Sequence, residues 1–381
     1  MIQYLVLIWM FVAWLAPGSV AAQDVRPTAA QLARVLAANP DNHAARWAYA
    51  QTAFQAGRYD EARYHIRQLL RAALSDRDAA TFTAALAEID RADPWDVQLR
   101  FAILPSTNVR RSTFNDQFAT VLGTFVPAGG GVEESGVGVT IGAGLAYSIG
   151  LTDQSRLSFR ARVDRSQYDA SDLNQTSVRF GVQSQTYNVG RTTTAEPFVR
   201  FQFDSSGKEE RRYVGASFAN TWWLSQDGTA TAAFTYEDIT NFESSSLSGP
   251  RAKIALQYST ALNQRTRMSV GAELLTFSPS LAYQAYSSIE VNGELKRAYD
   301  GFGHVAIYGS YKERDYDDVF PFTTLVREDR ISVLGLSFLA TDLDIYGARP
   351  RVFCQREVGS SNIDLYDFRS VDCGLTFERS F

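Results

Sequence analysis

Residues 95–104 read WDVQLRFAIL. In an extended chain Val97, Leu99, Phe101 and Ile103 share one face, and Gln98, Arg100 and Ala102 share the other. Side chains alternate sides along a strand, so this period of two predicts a half-buried β-strand. Upstream of Trp95 the apolar residues recur at three and four, so the chain changes structural class at that point.

The same alternation recurs at 137–148, 155–166, 175–187, 195–204, 211–224, 229–239, 250–260, 266–275, 287–299, 302–312, 328–339, 349–358 and 370–381, which gives about fourteen strands, an even count. Links of a few residues, such as Asp300-Gly301, alternate with longer ones, such as 105–136, 276–286 and 313–327. Short turns on one side and long loops on the other are the pattern of an outer-membrane barrel. A soluble sandwich would need two apolar inner faces. Here the face opposite the apolar one carries Arg160, Arg162, Arg179, Arg200, Lys253, Glu273, Glu290, Glu294 and Arg351, which suits lipid outside and a wet lumen inside. After residue 23 every apolar run is broken by charges or amides, so a membrane location would require a barrel rather than helices.

Both ends of the barrel fall on the short-turn side, which predicts periplasmic termini, with the preceding domain hanging below the outer membrane. Fourteen strands enclose more than an eight-stranded barrel, which side chains fill, and less than a sixteen-stranded porin. Gly138, Gly142 and Gly144 line one inward stripe, which would admit a folded-in loop, a plug or a passing chain; tight strand curvature is the plainer reading. The last strand, VDCGLTFERSF (371–381), alternates to a terminal Phe, the ending expected of a substrate of the barrel-assembly machinery.

The two cysteines, Cys354 and Cys373, are equidistant from a hairpin tip near Ile363-Asp364 and share the outward face. They are expected to meet across the last two strands. An oxidising compartment permits a disulfide, and two apolar thiols side by side is the other reading.

Residues 23–94 form a separate, all-α unit by their spacing. Leu32, Val35 and Leu36 lead to a stop at Asn39-Pro40-Asp41, and HAARWAYAQTAFQAGRYDEARYHIRQLL (43–70) reads as two helices hinged at Gly57, similar to a tetratricopeptide (TPR) repeat. A further helix, 79–89, would cap it, because one repeat cannot bury its own apolar face. The geometry of such a repeat turns Ala44, Trp47, Gln51 and Phe54 toward a concave groove, where they are candidates for binding an extended client; packing against neighbouring helices is the alternative for the two aromatics.

Residues 4–16 (YLVLIWMFVAWLA), the break at Pro17-Gly18 and the small residues before Gln23 read as a signal peptide, 1–22. A run of this length is short for a membrane helix, the competing reading. The net charge of -5 offers no basic footprint for nucleic acid. No G-x-S-x-G, H-E-x-x-H or phosphate loop occurs, and His43, His65 and His304 are isolated, so no enzymatic activity, cofactor or metal is expected. Asp315, Asp317 and Asp318 are expected in a solvated loop.

The combination resembles the surface lipoprotein assembly modulators (Slam). The resemblance rests chiefly on GARPRVFCQREVGSSNIDLYDFRSVDCGLTFERSF (347–381), with a Pro-containing strand, a Ser-Asn-Ile-x-Leu-Tyr-Asp loop and a last strand closing on Arg-Ser-Phe, and secondarily on Trp95 and Ser106-Thr107-Asn108-Val109. It implies a periplasmic TPR domain ahead of a fourteen-stranded barrel, and export or display of a client: a surface lipoprotein or small secreted protein. Outer-membrane lipid, the barrel-assembly machinery and periplasmic chaperones would be the further partners. The helical domain is shorter here than in well-known members. The rival reading is a passive channel or structural protein of the outer membrane.

Overall fold

The computed structural model describes residues 27–39, 42–72, 75–115, 117–126, 133–152, 154–225, 227–341, 343, 345 and 348–380. The expected signal segment and the terminal Phe381 lie outside them.

Four helices come first: α1 (Ala29–Ala38), α2 (His43–Gln55), α3 (Tyr59–Ala72) and α4 (Asp76–Ala92). Each helix start leaves backbone N–H groups without partners, and short polar side chains satisfy them. Thr28 and Gln31 form a reciprocal capping box on α1, Asn42 Oδ1 accepts from the Ala45 N–H at 2.9 Å, and Ser75 Oγ accepts from Asp78 at 3.1 Å. Gly57 joins α2 to α3 at φ 71°, in the left-handed region that a side chain disfavours. Ala50, Ala53 and Ala62 are fully buried where α2 meets α3, and their small size brings the helices together over Ile66, Leu69, Leu70, Leu86 and Ile89. The capping helix is longer than the 79–89 its apolar spacing suggests.

The rest is a closed antiparallel barrel of fourteen strands: β1 (Trp95–Ser106), β4 (Gly136–Thr152), β5 (Ser155–Tyr168), β6 (Gln175–Asn188), β7 (Arg191–Phe203), β8 (Glu209–Trp223), β9 (Gly228–Asn241), β10 (Gly249–Asn263), β11 (Thr266–Phe277), β12 (Tyr286–Tyr299), β13 (Gly303–Val319), β14 (Val326–Ala340), β15 (Arg349–Ser361) and β16 (Phe368–Ser380). Neighbours in sequence pair, and β1 closes the ring between β16 and β4. A small hairpin, β2 (Phe118–Thr120) and β3 (Gly123–Phe125), stands in the link between β1 and β4.

Alternation sorts the two faces. Ile141 and Leu334 are 61% and 63% exposed on the outside, where no aqueous protein would leave a continuous apolar belt. Trp95, Tyr147, Trp222 and Tyr299 gather on the outer face near the short turns, as an interfacial aromatic girdle does.

The strands overrun the expected bounds, chiefly on the loop side, and the loops shrink accordingly. The links opposite the short turns run over 169–174, 204–208, 242–248, 278–285, 320–325 and 362–367. Only the first, 107–135, is long. A membrane needs about ten residues of strand, whereas β4 and β13 have 17 each; above the apolar belt the alternation fades while the ladder continues. Asp315, Asp317 and Asp318, expected in a loop, therefore lie in β13.

Candidate functional site: a cross-braced lumen with a docked helical module

The inner wall is braced by ion pairs within strands and between strands one or two apart. Glu196 on β7, 6% exposed, accepts from Arg179 of β6 at 2.8 Å and from Arg160 of β5 at 3.2 Å. Asp164 takes Arg100 of β1 at 2.8 Å and Arg162 at 2.6 Å. Glu237 takes Arg251 and, at 3.8 Å, Arg200, whose guanidinium also lies over the Tyr213 ring. Lys253 reaches Glu273 at 3.3 Å, Lys312 reaches Glu290 at 2.7 Å, and Arg327 reaches Asp329 at 2.8 Å. Glu294 and Arg351 also occupy inward positions, on β12 and β15, and make no ion pair among the described residues. Asp164, Glu196, Glu237 and Asp329 were not among the lumen residues read from the sequence; their signal was available, since each sits at an inward position of its strand.

The glycine stripe has occupants. A Cβ at Gly138 would strike the Tyr168 ring, one at Gly142 would overlap Asp164 and crowd the Arg100 guanidinium at 3.3 Å, and Gly144 faces Gln98 at 3.6 Å. These glycines admit side chains from the flanking strands β1 and β5.

The long first link folds to the other side. Arg111, at φ 53°, bridges Glu357 of β15 at 2.9 Å and Asp372 of β16 at 2.6 Å. Asn108 is fully buried and donates to the Arg369 carbonyl, while Thr113 donates to that of Asp364. Farther along, the Val121 N–H meets the Phe322 carbonyl between β13 and β14. This segment ties one arc of the loop-side mouth together.

At the opposite rim the helical unit is docked, not tethered loosely. Tyr187 of β6 is 6% exposed and belongs to the helical core with Leu86 and Ile89, and its hydroxyl donates to Gln185 at 2.7 Å. Asp90 of α4, 2% exposed, stands between Arg63 of α3 at 3.3 Å and Arg156 of β5 at 3.2 Å. Of the candidate client-binding residues, Trp47 packs against Phe82 with ring centroids 5.5 Å apart and Phe54 against Tyr59 at 5.7 Å, whereas Ala44 and Gln51 are exposed. The structure does not bring the four together as one free surface. Cys354 and Cys373 stand opposite one another in β15 and β16 and are joined in a disulfide.

Comparison with known proteins follows the same division. The profile of a tetratricopeptide repeat family matches residues 20–98, and that of the surface lipoprotein assembly modifiers matches residues 95–381. No curated protein matches the chain. Similar solved structures include a FadL homologue of Pseudomonas aeruginosa (10% identity, TM-score 0.39, covering 80% of this chain and 93% of that one). Others are the outer membrane channel DcaP of Acinetobacter baumannii (13%, 0.40, 75% and 96%) and a bacterial polysaccharide outer membrane secretin (11%, 0.41, 75% and 97%). With the family profile spanning the whole fourteen-stranded barrel, the chain belongs to the surface lipoprotein assembly modifier family and is an outer-membrane β-barrel protein carrying an N-terminal TPR unit.

Proposed function

We propose that this protein is a translocator that exports or displays a client, a surface lipoprotein or small secreted protein, through or with its barrel. The helical unit faces the periplasm and takes up the client there, with periplasmic chaperones delivering it. The observation that carries the reading is the pairing of a family-defining barrel with a TPR unit fixed at the short-turn rim, where both chain ends of the barrel lie. A passive channel needs the barrel alone. In proteoliposomes the full-length protein should bring a lipoprotein encoded near its gene into protease reach. Removal of residues 27–92 should leave a heat-modifiable barrel and abolish that transfer, since the helices contribute no strand to the ring. Vesicles that pass small solutes but move no such lipoprotein would instead establish the channel reading.

A further inference from the structure

The lipid-facing wall is not uniform around the ring. Across β1 and β4–β8 it carries a groove of about 690 Å³, a volume within the roughly 300–1,000 Å³ of small-molecule sites. Register lays out two rows of outward side chains along it. Trp95, Tyr147 and Phe159 stand side by side at the short-turn end, and Leu145, Ala161 and Phe180 form the next row toward the loops. Ala161 ends at its Cβ between two larger neighbours, so a hollow opens above it, walled by the exposed Phe159 and Phe180 rings. Among the described residues Arg160 alone along the groove is charged, and its side chain turns inward to Glu196. The groove itself is therefore apolar, with the amphipathic Trp95 and Tyr147 at its short-turn end, where an interfacial girdle belongs.

In the outer membrane such a surface is covered by hydrocarbon, and its position says which molecule supplies it. The groove starts where the helical unit joins the barrel: Trp95 follows α4, which ends at Ala92, and lies against Tyr147 with ring centroids 4.7 Å apart. Between helix and strand the Pro94 carbonyl accepts from the Ser148 N–H of β4 at 2.8 Å. The helices rest on the inner edge of the same strands, with Asp90 on Arg156 of β5 and Tyr187 of β6 in the helical core. A phospholipid can fill the groove and nothing more. A polypeptide acylated at its end places hydrocarbon in the groove and its chain against the helices together, and the second contact then forms at the high effective concentration that a short link gives.

We propose that this groove binds the acyl chains of a lipidated client, with Ala161 as its floor and Phe159 and Phe180 as its walls. The assignment rests on the export reading and narrows the client to a lipoprotein whose polypeptide lies on the helical unit while its anchor stays in the membrane.

The test uses the full-length protein in phosphatidylethanolamine–phosphatidylglycerol nanodiscs, with a photoreactive benzoylphenylalanine in place of Phe180. The same group in place of Val291 on β12 is the control, since both positions are exposed on the outer face and Val291 lies outside the groove. The main probe is a triacylated cysteine carrying a peptide of about twenty Ser, Asn and Gly residues, which at roughly 3.3 Å per residue reaches the helices. Its unacylated counterpart and a tagged phosphatidylethanolamine are the other two. Lipopeptide crosslinking should be about tenfold stronger at position 180 than at 291. Ala161→Phe, its fold verified by heat-modifiable mobility, should bring crosslinking at 180 down to the level at 291, and the tagged phospholipid should mark both positions alike. Equal lipopeptide crosslinking at the two positions, or crosslinking unchanged by Ala161→Phe, would overturn the proposal. A phospholipid with the same preference for position 180, or an unacylated peptide captured as strongly as the lipopeptide, would overturn the lipoprotein assignment. Lipopeptide capture without client transfer in proteoliposomes would leave the groove standing and sink the export reading alone.

Discussion

Asp90 holds the helical unit to the barrel through two guanidinium groups. Its carboxylate is nearly sealed from solvent between Arg63 and Arg156. A buried carboxylate needs such partners, because desolvation penalises the charged form. Removing the anion strands its partner: Asp90→Asn should leave the Arg156 guanidinium without a carboxylate while Arg63 keeps Asp60 and Asp93, at a cost of about 3–5 kcal/mol. Far-UV circular dichroism at 222 nm should then show the helices melting earlier while the barrel keeps its heat-modifiable mobility; unchanged helical melting would dismiss the lock. In sequence Asp90 is one acid in an ordinary helical pattern, and its partner in β5 is 66 positions away. Alternation announces which face a residue takes, but not which distant charge it meets.

His65 gives the helical unit a dependence on pH. Its ring lies tilted against Tyr49 at 4.5 Å and edge-on to Tyr64 at 5.1 Å, and burial, reinforced by the charge of Arg46, lowers its pKa from 6.5 against the opposing pull of Glu61. A base that is harder to protonate when folded lets the unfolded chain take up the proton first, so stability falls as pH drops below about 6.5. The helical melting temperature should decline over that window, and His65→Phe should flatten the decline. A melting curve that rises on acidification would contradict the assignment.

Among elements, β4 is the instructive case. Its position and period were readable from residues 137–148, as was the inward stripe of glycine, yet the purpose of the stripe was not. The absent side chains make room for Tyr168, Asp164 and the Arg100 guanidinium from the strands on either side. Sequence displays a missing Cβ but not the neighbour that fills its space. Gly142→Val should force Asp164 and Arg100 apart, with an overpacking cost of about 1–3 kcal/mol. The fraction of barrel recovered in heat-modifiable form should fall, and Gly293→Val should cost less, since only the Ser269 carbonyl lies within 4 Å of a Cβ there. The loops teach a related lesson. Alternation tracks the apolar belt, so it marks where membrane contact ends, whereas the ladder ends where hydrogen bonding does, several residues later in β13.

For the whole molecule the sharpest test is orientation, because every functional statement about the helical unit depends on which rim is outside. Ring closure between β1 and β16 puts the start of the first strand and the end of the last on the short-turn rim. Tyr187 and Arg156 then fix the helices to that rim through Leu86, Ile89 and Asp90. The unit therefore cannot swing across to the other side of the membrane; both rims are decided together. Outer-membrane barrels keep their short turns in the periplasm, which predicts that 278–285 is outside and Ala56 inside. The native cysteines form a disulfide, so a membrane-impermeant maleimide reads an introduced thiol without background. Tyr283→Cys should label on intact cells, and Ala56→Cys should label only after the outer membrane is permeabilised. Labelling of Ala56→Cys on intact cells, with Tyr283→Cys protected, would place the helices on the surface and remove the periplasmic step from the proposed export route.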